Sequence, residues 1–113
     1  MKIVDYKEIA AEPVSFEDAK DVKVRWLISE KDKAPNFAMR LFEVAPGGYS
    51  PLHAHQWEHE VFILEGEGVA TDGAKECQVK SGTVVYVAPE ERHQFKNTGS
   101  DILKFLCLIP IKK

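Results

Sequence analysis

The chain has 113 residues, 44% of them hydrophobic and 29% charged, with a formal net charge of -3. That is room for one domain around one core, and a slightly acidic balance with scattered signs argues against a nucleic-acid surface or a basic membrane-binding face. No apolar run is long enough for a membrane span, the first residues show no signal-peptide pattern, and two cysteines, Cys77 and Cys107, are too few for a disulfide framework, so a cytoplasmic protein with reduced thiols is expected.

Residues 1–21 are mixed and acidic and read as an irregular arm with a short strand at residues 2–6. From residue 22 the pattern turns to short strands and turns. Val22, Val24 and Trp26 alternate onto one face. A charged turn, Glu30-Lys31-Asp32-Lys33, leads to a strand over residues 37–45, which Pro46-Gly47-Gly48 is expected to end. Residues 60–65 form the next strand and stop at Gly66-Glu67-Gly68. Residues 68–71 and 76–79 flank Asp72-Gly73, a hairpin signal. Ser81-Gly82 turns again into Thr83-Val84-Val85-Tyr86-Val87, rich in β-branched residues. After Pro89 come a short strand at residues 92–96, a turn at Asn97-Thr98-Gly99 and a last strand over residues 102–109. Gly47, Gly48, Gly66, Gly68 and Gly82 are expected to supply positive φ or close approach. Nine or ten short strands without a convincing amphipathic helix predict an all-β domain. Periodicity alone leaves a sandwich, an up-and-down barrel and a jelly roll open.

Chemistry concentrates in the histidines. Three of the four lie in His53-Ala54-His55-Gln56-Trp57-Glu58-His59, and the fourth is His93. Residues two apart on an extended strand share a face, roughly 6.6–7 Å apart along the chain, so His53 and His55 can converge on one ion. His59 and Glu60 compete as the next ligand. Neighbours on a strand point to opposite faces, and His59 is favoured because an outward glutamate is ordinary. Glu60 or Glu58 is then a candidate acceptor orienting an imidazole. Four neutral imidazoles suit Zn, Cu, Fe or Ni by ligand type, and the ion's charge would favour an anionic ligand. Protonation of the rings below about pH 6 should release the ion.

Gly47, His53, His55 and Glu60 sit at the spacing of the first motif of the cupin superfamily, and Gly82, His93 and Asn97 at that of the second. Pro89 falls one residue late, and Glu91 stands in the region where the family has glycine, which leaves the turn before His93 open. The blocks at residues 34–42, 57–60 and 105–110 also resemble small single-domain four-histidine manganese cupins. The resemblance implies a double-stranded β-helix (jelly-roll) barrel over residues 22–113. It also implies His53, His55, His59 and His93 around one divalent ion, Mn or Fe, with Zn, Ni or Cu as contaminants on purification.

Other residues are less specific. Arg40 either enters the barrel and clamps an anion or stands outward as a solvated charge. Phe105, Cys107 and Ile109 share one face of the last strand, so Arg40, Phe105 and Cys107 are the candidate substrate contacts. Trp57 reads as a packing anchor more than a substrate platform, and Asn97 as a turn support. An oxygen-dependent metalloenzyme acting on a small enol or diketone is the leading expectation. A metal-dependent isomerase or lyase with Glu60 as base, and a non-catalytic ligand- or metal-binding barrel, are the alternatives. A homodimer is expected, with residues 1–10 exchanged across a two-fold axis.

Overall fold

Alternation along the strands decides the inside of this molecule. The computed structural model describes residues 1–15 and 18–112. They form nine strands: β1 (Glu12–Pro13), β2 (Lys20–Ile28), β3 (Phe37–Tyr49), β4 (His59–Glu65), β5 (Glu67–Thr71), β6 (Glu76–Lys80), β7 (Val84–Val87), β8 (Gln94–Asn97) and β9 (Leu103–Pro110). Two single-turn 3-10 helices, Tyr6–Glu8 and Glu30–Asp32, complete the elements. All pairings are antiparallel, in the order β6-β5-β8-β3-β9-β4-β7, with β2 against β3 and β1 against β2. The sheet curls into a jelly-roll barrel.

Inward positions repeat every second residue. On β4, His59, Val61 and Ile63 are buried while Glu60, Phe62 and Leu64 are exposed. On β9, Leu103, Phe105 and Cys107 are buried. Val22 and Val24 face inward from β2, as expected, but Trp26 on the same face keeps 42% of its surface exposed. Phe105 stacks on Phe42 at 5.3 Å and meets Phe95 at 4.7 Å between ring centroids, which fills the centre of the barrel.

Three expectations need correction, and the turn before His93, left open, takes a definite form. Residues 2–6 form no strand: the arm enters a 3-10 turn capped by Asp5. Pro46-Gly47-Gly48 does not end β3, which runs on to Tyr49. Gly47 takes φ +81° there, so the segment bends the strand while its pairing passes from β9 (Val44 opposite Leu103) to β8 (Tyr49 opposite Lys96). A Cβ on Gly48 would meet the carbonyl oxygen of Lys20 at 2.6 Å, so only glycine fits the close approach of β2. Before His93 the positive φ falls on Glu90 (φ +69°) rather than on Glu91; Glu91 braces that turn by accepting from the Ala88 N–H at 3.0 Å. The strand carrying His93 was expected at residues 92–96, but β8 begins at Gln94, and His53 and His93 meet as a single isolated bridge.

The arm joins its own barrel, with Glu12 opposite Val24 and Pro13 opposite Lys23. Arg25 donates to the carbonyls of Tyr6, Lys7 and Ile9. Asn97, 3% exposed, supports its turn as expected. Its Nδ2 donates to the carbonyls of Val44 and Asp101, both at 2.8 Å, and its Oδ1 accepts from the Gly99 N–H at 2.9 Å. It thereby ties the turn before β9 to the bend of β3. Asn97→Ala will lower the unfolding free energy by about 2 kcal/mol or more, because it strands a buried carbonyl. Urea titration with an unchanged slope is the check.

Candidate metal centre

The site is built from one loop and two strand ends. Residues between β3 and β4 carry His53 and His55, β4 opens with His59, and His93 precedes β8. The expected extended strand through His53 and His55 is absent. What holds the loop is backbone pairing: His53 N–H donates to the His93 carbonyl at 3.3 Å and His93 N–H to the His53 carbonyl at 3.0 Å. His55 is tied separately, its carbonyl accepting from Glu90 N–H at 2.6 Å. The left-handed Glu90 thus stands directly behind a site residue.

Ligating nitrogens of His53, His55 and His93 lie within 4.8 Å of one another, a grouping that can hold a metal ion. The Nε2 atoms of His53 and His55 are 3.0 Å apart. Two nitrogens each about 2.1 Å from one ion, at a right angle, would be about 3.0 Å apart. His59 stands beside this trio, its ring 4.6 Å from that of His93 and 5.2 Å from that of His55. It is 5% exposed. Glu60 points the other way, exposed opposite Tyr86 and Leu108.

Two of the rings are oriented by groups other than carboxylates. His93 Nδ1 donates to the carbonyl of Glu91 at 3.1 Å, which leaves Nε2 with its lone pair. His59 Nδ1 lies 3.4 Å from the Cys107 sulfur, and its Nε2 is buried without a hydrogen-bond partner. His55 stacks on Trp57 at 4.4 Å with an interplanar angle of 6°, and Lys112 Nζ lies 4.2 Å from the Trp57 ring centroid. Trp57 is a packing anchor for a site residue. Spacing gave no signal for Lys112 or for the Glu91 carbonyl, since both act through tertiary contacts.

Arg40 goes inward. It lies opposite Trp26 on β2 and Cys107 on β9. Its Nη2 donates to the Cys107 sulfur at 3.1 Å. Its guanidinium lies over the rings of Phe42 (4.8 Å) and Trp26 (5.4 Å), within cation–π range, and its Nε is buried without a partner. Phe105 is core, packed between Phe42 and Phe95. A cavity of about 660 Å³ adjoins the site, walled in part by Trp26, Trp57, Ile9 and Ile109, and none of the four histidines lines it.

Burial makes neutral rings of these histidines. It pushes His59 down to about 3 and His55 down to about 4, with neighbouring histidines and Arg40 adding to the effect. Burial also lowers His53 and His93. Burial raises the Cys107 thiol, against the pull of Arg40. Both cysteines are free, Cys77 at the surface and Cys107 inside. Among the described residues no helix is long and apolar enough to cross a membrane.

Residues 40–109 match the Cupin domain family. Over 93 residues the chain is 37% identical to an "Oxalate-binding protein" of Thermotoga maritima, covering 79% of this chain and 75% of that protein. It is 39% identical over 71 residues to "1-methylthio-D-xylulose 5-phosphate methylsulfurylase" of Rhodospirillum rubrum, covering 63% of this chain but only 46% of that enzyme. The solved structure of the polyketide cyclase RemF from Streptomyces resistomycificus superposes with a TM-score of 0.93 at 33% identity, over 99% of this chain and 80% of that one.

Because the folded chain keeps these rings neutral, it binds fewer protons than the unfolded chain, whose histidines titrate near 6.5. Their stabilising contribution is complete above about pH 6.5 and is lost as pH falls toward the lowered values. The melting temperature of metal-free protein will therefore fall between about pH 6.5 and pH 4.5, with a shallower slope in His59→Gln. Proton competition with a bound ion will likewise begin at lower pH than for free imidazole.

Proposed function

The chain belongs to the Cupin domain family, and from that premise we propose a small metal-binding cupin that holds one divalent transition ion on His53, His55, His59 and His93. The observation that carries the four-ligand reading is the buried His59 Nε2. It has no hydrogen-bond partner, while its other nitrogen meets Cys107 and its ring packs beside the trio. A buried polar nitrogen left unpaired is costly, and a metal bond would remove that cost. Neutral rings are the form that binds metal.

By resemblance the ion is Mn or Fe. Affinity alone favours Cu, Ni or Zn, so purified protein will carry whichever of these is available. When bound, a redox-active ion of this kind would supply Lewis acidity toward an enolate or carboxylate and electrons for oxygen chemistry. The chain's own part is recognition. Arg40 presents a guanidinium inside the barrel, oriented by Trp26, Phe42 and Cys107. With four neutral imidazoles nothing in the ligand set cancels the positive charge, which favours a small, oxygen-rich anion. We propose an oxygen-dependent reaction on such an enol, diketone or carboxylate in a reducing, cytoplasmic setting. Phe105 is assigned to the core and not to substrate.

A second reading is a non-catalytic binder. The expected general base, Glu60, is exposed on the outer face, which removes the support for isomerase or lyase chemistry. A relative is named for oxalate binding, and an ion on the histidines together with Arg40 would offer positive charge to such a dianion. A homodimer belongs to the same proposal, because Phe62, Val84 and Tyr86 are exposed together on the outside of β4 and β7. The arm, residues 1–21, would exchange residues 1–10 by leaving the contacts it makes on its own barrel. Light scattering should give twice the chain mass, and a monomeric mass would refute the dimer.

Elemental analysis of untagged protein should find about one ion per chain. His59→Ala and His93→Ala should lose it, and Glu60→Ala should keep it; retention by His59→Ala would reduce the site to the trio. In Mn-loaded protein, Arg40→Leu should weaken oxalate binding at least about tenfold by calorimetry, consistent with loss of a charged partner.

A further inference from the structure

Cys107 is one of two cysteines and the only one inside. Its sulfur is the meeting point of two elements that both lie far from it in the chain. Arg40 Nη2 reaches it at 3.1 Å from β3, and His59 Nδ1 at 3.4 Å from the start of β4. The register makes this possible: Cys107 pairs with Arg40 on one side and with Val61, two residues from His59, on the other. Cys107 is 4% exposed, so no solvent competes for the two contacts.

We infer that Cys107 is a positioning residue, a shared neutral acceptor that orients the metal ligand His59 and the anion-binding Arg40 together. The inference rests on the four-histidine reading above. Its physical basis is the choice of atom. Receiving the Nδ1 hydrogen of His59 leaves the lone pair on Nε2, the nitrogen that stands beside the other three rings. Receiving the Nη2 hydrogen of Arg40 fixes the guanidinium but leaves its charge uncancelled, because a buried thiol is neutral. A carboxylate at this position would orient both groups equally well and neutralise Arg40, stripping the site of its attraction for an anion. An alkyl side chain would leave two buried donors unsatisfied. A weak, uncharged acceptor meets both requirements at once.

The test compares Cys107→Ser, which keeps an uncharged acceptor, with Cys107→Val, which fills the space and has none. Cys107→Ala, without acceptor or added bulk, replaces Val if that variant does not fold, and circular dichroism with melting verifies each. Two quantities are read: the Kd for Co²⁺ with its visible absorption bands, and the Kd for oxalate on Co²⁺-saturated protein. The expected pattern is Ser within about threefold of wild type on both, and Val weaker by about 10–100-fold in Co²⁺ affinity, with altered bands and weaker oxalate binding. If Cys107 were core packing alone, the order would reverse, because Val suits an apolar interior and Ser does not. Val behaving as wild type, or both variants losing affinity alike, overturns the inference. Wild type that takes up no Co²⁺ overturns the four-histidine reading first, and this inference falls with it.

Discussion

A slip of β9 by one residue against β3 would turn Cys107 outward and bring Leu106 and Leu108 into the barrel. The register of that pairing therefore governs what the interior contains. It sets Arg40 opposite Cys107, Phe42 opposite Phe105 and Val44 opposite Leu103. The other edge of β9 carries Val61 opposite Cys107 and Ile63 opposite Phe105. Across β2, β3, β9 and β4 the inside then reads as stacked rungs. Val24, Phe42, Phe105 and Ile63 make an apolar rung, and Trp26, Arg40, Cys107 and Val61 the next. Hydrophobic filling gives way to polar chemistry within one step of the strand repeat, and His59 follows Val61 at the next inward position of β4.

Much of this was legible in the residues because ligand chemistry constrains spacing. His53, His55 and His59 stand close in the chain, and metal-binding side chains at such intervals have few ordinary explanations. Alternation put His59 and Glu60 on opposite faces, the ordinariness of an outward glutamate favoured His59, and the structure places the first inside and the second outside. The all-β class followed from short runs and frequent turns. The bend in β3 was harder. Pro46-Gly47-Gly48 carries every local mark of a stop, yet Gly47 takes a positive φ within a strand that continues. Local signals report a change of direction, and only the partners on either side decide whether pairing resumes.

The orientation of Arg40 was open for a similar reason. Alternation assigns a residue to a face but not the face to the core, and the phase is supplied by β2 and β9. The partners of His93 and His59 were not visible in the sequence, where nearby carboxylates were the candidates. The groups found are a backbone carbonyl at Glu91 and a sulfur 48 residues from its histidine. No periodicity connects these atoms. Glu90, in the left-handed region with its N–H on the His55 carbonyl, shows the turn before His93 built on a non-glycine residue at positive φ.

The pairing of β3 with β9 spans most of the chain, with Arg40 opposite Cys107 and Phe37 opposite Pro110. Such non-local contacts are slow to form, because a long loop must close before any of them stabilises it. The hairpin formed by β5 and β6 closes only a short loop, in contrast to the pairing of β9 that brings Cys107 to His59. The contact that Cys107 makes with His59 therefore depends on a long-range pairing, although the histidines themselves stand close together in the chain.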